Sequence, residues 1–419
     1  MLDIKFIRQN PEKVKEGCKK KGVDINIDEL LEIDKKRREI LKKVEEIRAQ
    51  KNKASKEIVK LKGKEREELL KKMREIDKEG DVLEKKFKEI DKEFWQLMAK
   101  VPNLPFDDVP VGKDERDNVV LREVGEIPKF DFEPKDHLEI GEKLDIIDVK
   151  RAAKTSGTRF GFLKGEGALL EFALINFVFD SLVKEGFVPV VPPVLIKEEP
   201  FWGMGYLDRG KEEVYFIPKD GLYLIGTAEQ IIGPMHMDEI LREEELPKRY
   251  IGFSSCFRRE AGAYGKDTRG IFRVHQFDKI EMFSFAKPED SRKEHRFFLE
   301  MEERLMKALK IPYRVVHICT GDLGDPAAEK FDIEAWLPGQ GRYRETHSTS
   351  NCTDFQTRRL NIRYRDKSGK LRFVHTINGT AFAIGRTIIA ILENYQQKDG
   401  SVKVPEVLQK YLPFKEIRR

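Results

Sequence analysis

Cysteine is scarce in this 419-residue chain, and its spacing excludes two kinds of small stabilised domain. The four cysteines lie far apart and form no C-x-x-C pair. Neither a disulfide framework nor a zinc ribbon is therefore indicated, which fits a reducing cytoplasm. No apolar run approaches the length needed to cross a bilayer, and the charged segment 1–11 lacks the apolar stretch of a signal peptide. We expect a cytoplasmic protein with no membrane contact.

A large excess of one charge sign is also missing. With 80 Lys and Arg against 75 Asp and Glu, the net charge is only +5, although charged residues make up 37% of the chain. A nucleic-acid partner would therefore have to be held by a local basic stripe rather than by a general positive field. The length and the 39% content of hydrophobic residues suffice for two domains, at least one of them with a sizeable core.

Proline is absent between Pro11 and Pro102, and this interval carries an apolar heptad seam in two limbs. The seam positions are Ile33, Arg37, Ile40, Val44, Ile47, Lys51, Ala54, Ile58 and Leu61, then Leu69, Met73, Ile76, Gly80, Leu83, Phe87, Ile90, Phe94 and Leu97. Two seams of matched length around a turn at Gly63 predict an antiparallel helical hairpin. Each limb of about 30 residues would be roughly 45 Å long.

Basic residues are concentrated on the first limb and the tip of this hairpin. The candidates for nucleic-acid binding at the tip are Lys51, Lys53, Lys56, Lys60, Lys62 and Lys64. Lysines at this density can neutralise phosphates and release counterions, so binding would weaken with salt. A solvated coiled-coil face is the alternative for such a charge run alone. Because the proline-rich connector 101–112 must end the helical pattern, we predict an N-terminal domain at 1–110 and a second domain at 111–419.

Segments 257–260 and 273–281 predict the two strands of one hairpin, joined by a Gly-containing loop. Because side chains alternate along a strand, Arg258 and Glu260 should share one face, and so should Phe277 and Glu281. Phe277 and Glu281 stand roughly 13 Å apart at the usual strand rise, about the distance from an adenine ring to the amino acid of an aminoacyl-adenylate. The pattern favours nucleotide at one end and amino acid at the other. A cross-strand pair on a solvated sheet is the ordinary alternative.

Three segments follow one another in an order typical of one family. Segment 186–193 follows an apolar helical run and is similar to motif 1 of the class II aminoacyl-tRNA synthetases, the hairpin is similar to motif 2, and segment 378–386 is similar to motif 3. Within that class, a helical N-terminal arm and only about thirty residues after Arg386 resemble the seryl-tRNA synthetase family. Further matching segments are 156–160, 226–229, 344–348 and 354–359. One departure is Ala381, where the family more often has glycine.

The resemblance implies an α+β fold: an antiparallel helical-hairpin arm, then a class II antiparallel-sheet catalytic domain with flanking helices. It also implies a two-step reaction. L-Serine attacks the α-phosphate of ATP to give seryl-adenylate and diphosphate, and the seryl group then passes to the 3′ end of serine tRNA; selenocysteine tRNA is a further acceptor that it admits. A homodimer built through motif 1 and an arm that grips the long variable arm of the tRNA from the opposite subunit are implied as well.

The same resemblance implies which residues form the site. Serine is expected against Thr227, Ala228, Glu229, Arg258, Glu281 and Thr380, and ATP against Arg258, Arg259, Glu260, Val274, Phe277, Glu345, Thr346, His347, Ser348 and Arg386. Arg258 and Arg386 are the expected catalytic groups, since they would meet the α- and γ-phosphates. Mg²⁺ is expected at Glu345 and Ser348, because it accepts hard oxygen ligands beside nucleotide phosphates.

The pocket chemistry bears on the choice of amino acid. Hydroxyls and carboxylates such as Thr227 and Glu281 suit an ammonium and a hydroxyl, whereas a phenylalanine pocket would need apolar walls. This counts against an α-like subunit of phenylalanyl-tRNA synthetase, the rival that also has an N-terminal coiled coil. A pocket that hydrogen-bonds a substrate hydroxyl also rejects the analogue without one, so alanine should be a poor substrate. A synthetase-like protein that adenylates an amino acid for a non-tRNA acceptor is the second alternative.

Overall fold

The computed structural model describes residues 1–208, 210–261, 267 and 269–419, and these divide into two compact units. The first unit is Leu2–Pro102, and the second is Asn103–Arg419 together with Met1. The division lies within the predicted connector 101–112. Within the described ranges, no helix combines the length and the apolar character that a membrane span requires.

The first unit is helical, as its heptad seam predicts. Its helices are α1 Ile4–Gln9, α2 Pro11–Lys20, α3 Ile27–Ile58 and α4 Lys64–Lys100. With 32 and 37 residues, α3 and α4 are about 48 and 55 Å long at 1.5 Å per residue. They pair as the predicted hairpin, which is confirmed. Gly63 forms the turn with a left-handed φ of 64°, a conformation that glycine adopts without strain.

Ion pairs join the two helices of the hairpin at the charged positions of the seam. Arg37 lies 2.6 Å from Asp91, and its guanidinium is 4.7 Å from the ring centroid of Phe94. Nearer the turn, Nζ of Lys51 lies 2.8 Å from Asp77. The charged residues at seam positions are thus neutralised by the opposite helix, which keeps the period of the seam intact.

The second unit mixes short helices with strands. Its helices are α5 His137–Lys143, α6 Val149–Ser156, α7 Glu166–Leu182, α8 Glu198–Gly203, α9 Glu229–Ile232, α10 Ser291–Ala308, α11 Phe355–Leu360 and α12 Ile384–Asn394. Its strands are β1 Val119–Val124, β2 Ile147–Asp148, β3 Phe162–Leu163, β4 Val188–Val190, β5 Leu195–Lys197, β6 Phe216–Ile217, β7 Leu222–Leu224, β8 Ile240–Arg242, β9 Lys248–Phe257, β10 Gln276–Ala286, β11 Tyr313–His317, β12 Glu329–Leu337, β13 Arg342–Thr353, β14 Arg363–Arg365, β15 Leu371–Phe373, β16 His375–Ala383, β17 Val402–Lys403 and β18 Glu416–Ile417.

One large sheet organises this unit. Among the described residues it has eight strands in the order β1-β11-β12-β13-β16-β10-β9-β4. Neighbouring strands pair antiparallel, as for β9 with β10 and β10 with β16, whereas β4 and β9 pair in parallel. The predicted α+β architecture on an antiparallel sheet is therefore confirmed.

The apolar core lies between this sheet and the helices α7, α10 and α12. Ile280 and Met282 of β10 are buried in that core. Because strand side chains alternate, Phe277, Lys279 and Glu281 of the same strand are directed away from Ile280 and Met282 and line open cavities. One strand thus contributes both to the core and to a polar site.

Two β-bulges adjust which side chains reach that site. In β13, Glu345 pairs with Glu334 and His347 with Ile333, so Thr346 is an extra residue. In a regular strand Glu345 and Ser348, three residues apart, would face opposite sides; with the bulge both line one cavity. In β16, Ala381 is the extra residue opposite β10. It does not have a positive φ, so alanine is tolerated where glycine was expected.

Candidate active site

Two adjoining cavities open on the polar face of the central strands. Their volumes are about 590 Å³ and 240 Å³. Both are lined by Arg258, Glu260, Arg273, Lys279 and Ser348. The larger cavity also contains Thr227 and Glu229, and the smaller contains Phe277 and Arg386. The structure therefore brings together most of the residues that the sequence assigned to serine and ATP.

The strands that carry this site are displaced along the chain from the predicted ones. Strand β9 ends at Phe257 and β10 begins at Gln276, so the prediction is wrong for residues 258–260 and 273–275, which lie outside the strands. Glu260 has a left-handed φ of 51°, which means that strand alternation cannot explain its direction. It accepts a hydrogen bond from Arg273 at 2.5 Å instead. Most of the predicted Gly-containing loop, residues 262–266 and 268, lies outside the described residues.

Glu229 is held by three donors at one end of the larger cavity. Its Oε1 accepts hydrogen bonds from the hydroxyl of Tyr206 at 2.9 Å, from Asn378 at 3.0 Å and from Gln356 at 3.3 Å. Burial, together with the nearby charge of Glu281, raises the pKa of the Glu229 carboxyl to about 7. A cation in the cavity would favour its ionised form.

Thr227 and Glu281 form a second buried polar group beside Glu229. The Thr227 hydroxyl donates to Glu281 Oε2 at 3.1 Å, and the Lys279 ammonium lies close against the same carboxylate. Thr380 stands opposite Glu281 in the sheet register and lines the smaller cavity. Ala228 is buried, and it is not one of the described residues that line the two cavities.

Cations and a flat ring dominate the smaller cavity. Nε of Arg258 donates to the backbone oxygen of Gly226 at 3.1 Å, and its guanidinium lies 5.2 Å from the Phe277 ring centroid. Nη1 of Arg386 donates to the backbone oxygen of Glu345 at 2.9 Å. Val274 and Thr346 also line this cavity. Positive charge and an aromatic face thus meet in one cavity.

Glu345 is, with Glu260, a carboxylate that lines this cationic cavity. Burial alone would raise its pKa, but Arg386, Lys330, Arg258 and Lys279 together lower the pKa of the carboxyl to about 2. The Glu345 side chain remains 46% exposed, so its loss of water is partial and the surrounding cations prevail. Glu345 is therefore ionised at neutral pH.

Arg259 and His347 are not brought to either cavity in the described part of the chain. Arg259, next to Arg258 along the backbone, is directed towards Tyr215, with 5.8 Å between its guanidinium and the ring centroid. His347 lies behind the bulge, 2.8 Å from the Thr346 hydroxyl, and burial lowers the pKa of its ring to about 3. A direct contact of either side chain with ATP therefore stays a prediction.

Several residues of the site were missed by the sequence reasoning. Asn378 and Gln356 stand in segments that match the family, and their position could have drawn attention to them. Strand alternation puts Lys279 on the same face as Phe277 and Glu281, and this alone was sufficient to assign it to the site. Tyr206 lies outside the three motifs, in a short connecting segment, and no local pattern points to it.

Comparisons with known proteins show the family of the chain. The model of the seryl-tRNA synthetase N-terminal domain matches residues 1–105, and that of the class II tRNA synthetase core domain (G, H, P, S and T) matches residues 215–395. The chain is 49% identical over 422 residues to a serine–tRNA ligase of Dictyoglomus thermophilum, covering 100% of this chain and 99% of the relative. The chain belongs to the seryl-tRNA synthetase family. A serine–tRNA ligase of Caldicellulosiruptor saccharolyticus is 53% identical over 415 residues, with 98% and 99% coverage.

Solved structures extend the likeness to the whole fold. The seryl-tRNA synthetase of Pyrococcus horikoshii complexed with ATP has a TM-score of 0.91 and 45% identity, covering 100% of this chain and 99% of that one. The cytoplasmic serine–tRNA ligase of Naegleria fowleri in complex with AMP has a TM-score of 0.87 and 37% identity, with the same coverage. The predicted family and fold are confirmed.

Proposed function

We propose that this member of the seryl-tRNA synthetase family activates L-serine with ATP and transfers it to the 3′ end of serine tRNA. The observation that carries the proposal is the junction of two unlike cavities. Thr227, Glu229 and Glu281 give one of them acids and a hydroxyl, whereas Arg386 gives the other a cation. Arg258 lines both. A serine carboxylate and an ATP α-phosphate would therefore meet beside Arg258, where developing negative charge is stabilised.

The larger cavity suits the serine part of this reaction. The carboxylates of Glu229 and Glu281 would neutralise the serine ammonium, and Tyr206 and Asn378 fix Glu229 in place. The buried Thr227–Glu281 pair offers hydrogen bonds to a small hydroxyl. An alanine in the same place would leave such groups unpaired, which supports selection of serine over alanine.

The smaller cavity suits ATP. Adenine would stack on Phe277, with Glu260 and the backbone of Val274 at its edge, and Arg386 would meet the γ-phosphate. A serine carboxylate oxygen then bonds to the α-phosphorus while the bond from that phosphorus to diphosphate breaks. In the second step a ribose hydroxyl of the tRNA bonds to the seryl carbonyl carbon, and AMP leaves. These residues position the reactants and neutralise charge, and none forms a covalent intermediate.

Mg²⁺ is proposed to accompany ATP at Glu345 and Ser348. The pair fits because Glu345 is ionised at neutral pH and the bulge at Thr346 puts both oxygens on one cavity. An ionised carboxylate and a hydroxyl are hard oxygen ligands of the kind that Mg²⁺ accepts beside phosphates. The ion would supply charge neutralisation on the phosphate oxygens.

The tip of the helical hairpin is proposed to bind the long variable arm of serine tRNA. The supporting observation is a set of exposed lysines at and beside the turn, namely Lys53, Lys56, Lys60, Lys62 and Lys64. Lys51 differs, because its ammonium pairs with Asp77 across the hairpin. We therefore assign phosphate contacts to the other five and a role in the hairpin to Lys51.

A homodimer is proposed from the apolar surface of motif 1. The large exposed apolar residues of this region are Leu169, Phe172, Val183, Val188 and Val191. Such a patch on α7 and around β4 is typical of a protein interface. Phe187 of motif 1 does not belong to that surface, because its side chain is buried in the core. The four cysteines are buried thiols, which is compatible with a cytoplasmic location.

Charging of tRNA tests this function directly. Purified enzyme with ATP, Mg²⁺, labelled serine and serine tRNA should yield seryl-tRNA, and omission of ATP should abolish the product. Adenylate formation without any transfer to serine tRNA would instead favour the alternative of an adenylating protein with another acceptor.

A further inference from the structure

Phe272 lines the smaller cavity, and its ring is in contact with two guanidinium groups. The Arg344 guanidinium is 3.9 Å from the centroid of its ring, and the Arg386 guanidinium is 4.6 Å from the same centroid. The Phe272 side chain is only 6% exposed and packs in the main apolar core. A ring fixed in this way is a rigid surface for both arginines, and it is not among the residues that the sequence assigned to ATP.

The two arginines are anchored differently. Nη1 of Arg344 donates to Asp267 at 3.0 Å and to Gln340 at 2.6 Å, and Arg344 is not among the described residues that line the two cavities. Arg386 donates to the Glu345 backbone, lies 3.5 Å from the Glu345 carboxylate and lines the cavity. Contacts therefore lead from Asp267 to Arg344, from Arg344 to the ring of Phe272, and from that ring to Arg386. Arg386 is a cation that lines the cavity.

We propose that Phe272 is a positioning residue for ATP, whose ring, supported by Arg344 and Asp267, holds the Arg386 guanidinium ready for the triphosphate. The inference rests on the proposed function, since it assumes that Arg386 meets ATP. A long arginine side chain has many rotamers, and stacking on a fixed ring removes most of them before the ligand arrives. The attraction of a guanidinium to an aromatic face adds to this when both are partly desolvated.

The first experiment replaces the ring while keeping its apolar bulk. In ATP–diphosphate exchange, Phe272→Leu should raise the KM for ATP about fivefold to twentyfold, the range expected when a partly desolvated cation–ring contact is lost. The KM for serine should stay within about twofold, because the ring is not part of the larger cavity. The matched control is Phe297→Leu, which removes a ring 4.1 Å from the Arg249 guanidinium and outside both cavities. It should change neither KM.

A second variant tests the support behind the ring. Asp267→Asn weakens the contact that holds Arg344, so in the wild-type background it should raise the KM for ATP. In the Phe272→Leu background it should raise that KM little further, because the contact between the ring and Arg386 is already lost. Independent multiplication of the two effects would overturn the proposal. An unchanged KM for ATP in Phe272→Leu would also overturn it. Equal rises in the KM values for ATP and serine, together with a lower melting temperature, would overturn it as well, since the ring would then be purely structural. Wild-type enzyme without serine-dependent exchange would instead refute the proposed function.

Discussion

Arg386 and Glu345 form an ion pair inside the smaller cavity, with 3.5 Å between Nη1 and the carboxylate Oε2. Each is proposed to bind the opposite charge of the same substrate, Arg386 the γ-phosphate and Glu345 the Mg²⁺ that accompanies it. The pair therefore balances the two charges before ATP arrives and can exchange partners when it binds. Neither charge has to be left uncompensated at any stage, which lowers the cost of keeping both in the site.

Replacement of Arg386 should impair the use of ATP without unfolding the protein. Arg386→Ala is expected to lower kcat/KM for ATP by about a hundredfold or more, as is usual when a charged donor to a reacting phosphate is removed. Lys330 and Arg258 remain near Glu345 and still stabilise its charge. Exchange kinetics and a melting curve provide the measurement. Wild-type kinetics in this variant would show that the Arg386 charge has only a structural partner.

Serine binding should depend on pH through Glu229. Since its pKa is raised to about 7, the carboxyl is mostly protonated below that pH and mostly ionised above it. The serine ammonium is charged throughout this range and prefers the ionised form, so the KM for serine should fall as the pH rises from 6 to 8, by up to about tenfold. Glu229→Gln should give a higher KM and a flat profile. The same slope in that variant would assign the titration to another group.

Removal of the exposed lysines at the hairpin tip should separate the two steps of the reaction. We expect Lys53, Lys56, Lys60, Lys62 and Lys64 changed together to alanine to leave serine activation within about twofold. The KM for serine tRNA should rise by more than tenfold, and its dependence on salt should become shallower because fewer counterions are released. Lys51→Ala serves as the comparison, since its partner is Asp77 and its loss should affect mainly the melting temperature. Unchanged tRNA charging by the fivefold variant would make the tip a structural element.

Local periodicity explains why parts of this structure could be predicted. The alternating spacing of three and four residues between apolar positions predicts that α3 pairs with α4, because each seam residue needs an apolar neighbour in the opposite helix. The period of two along β10 likewise places Phe277 and Glu281 on one face. Both patterns are contained in a short stretch of sequence.

The remaining features depend on contacts between distant segments. The parallel pairing of β4 with β9 and the strand order of the sheet leave no local signature. The bulge at Thr346 arises from the match of β13 to β12 and could not be read from β13 alone. Asn378, which donates to Glu229, lies 149 residues away along the chain. The assignment of Glu345 and Ser348 thus rested on family resemblance, and the structure shows only that both residues line one cavity.

ATP–diphosphate exchange with each of the twenty amino acids in turn tests the central claim most directly. The account predicts strong exchange with serine, and far weaker exchange with alanine because the polar groups around Thr227 and Glu281 would lack a partner. The measurement needs no tRNA, so it examines the two cavities alone. Exchange driven by phenylalanine or another apolar amino acid rather than by serine would contradict the account.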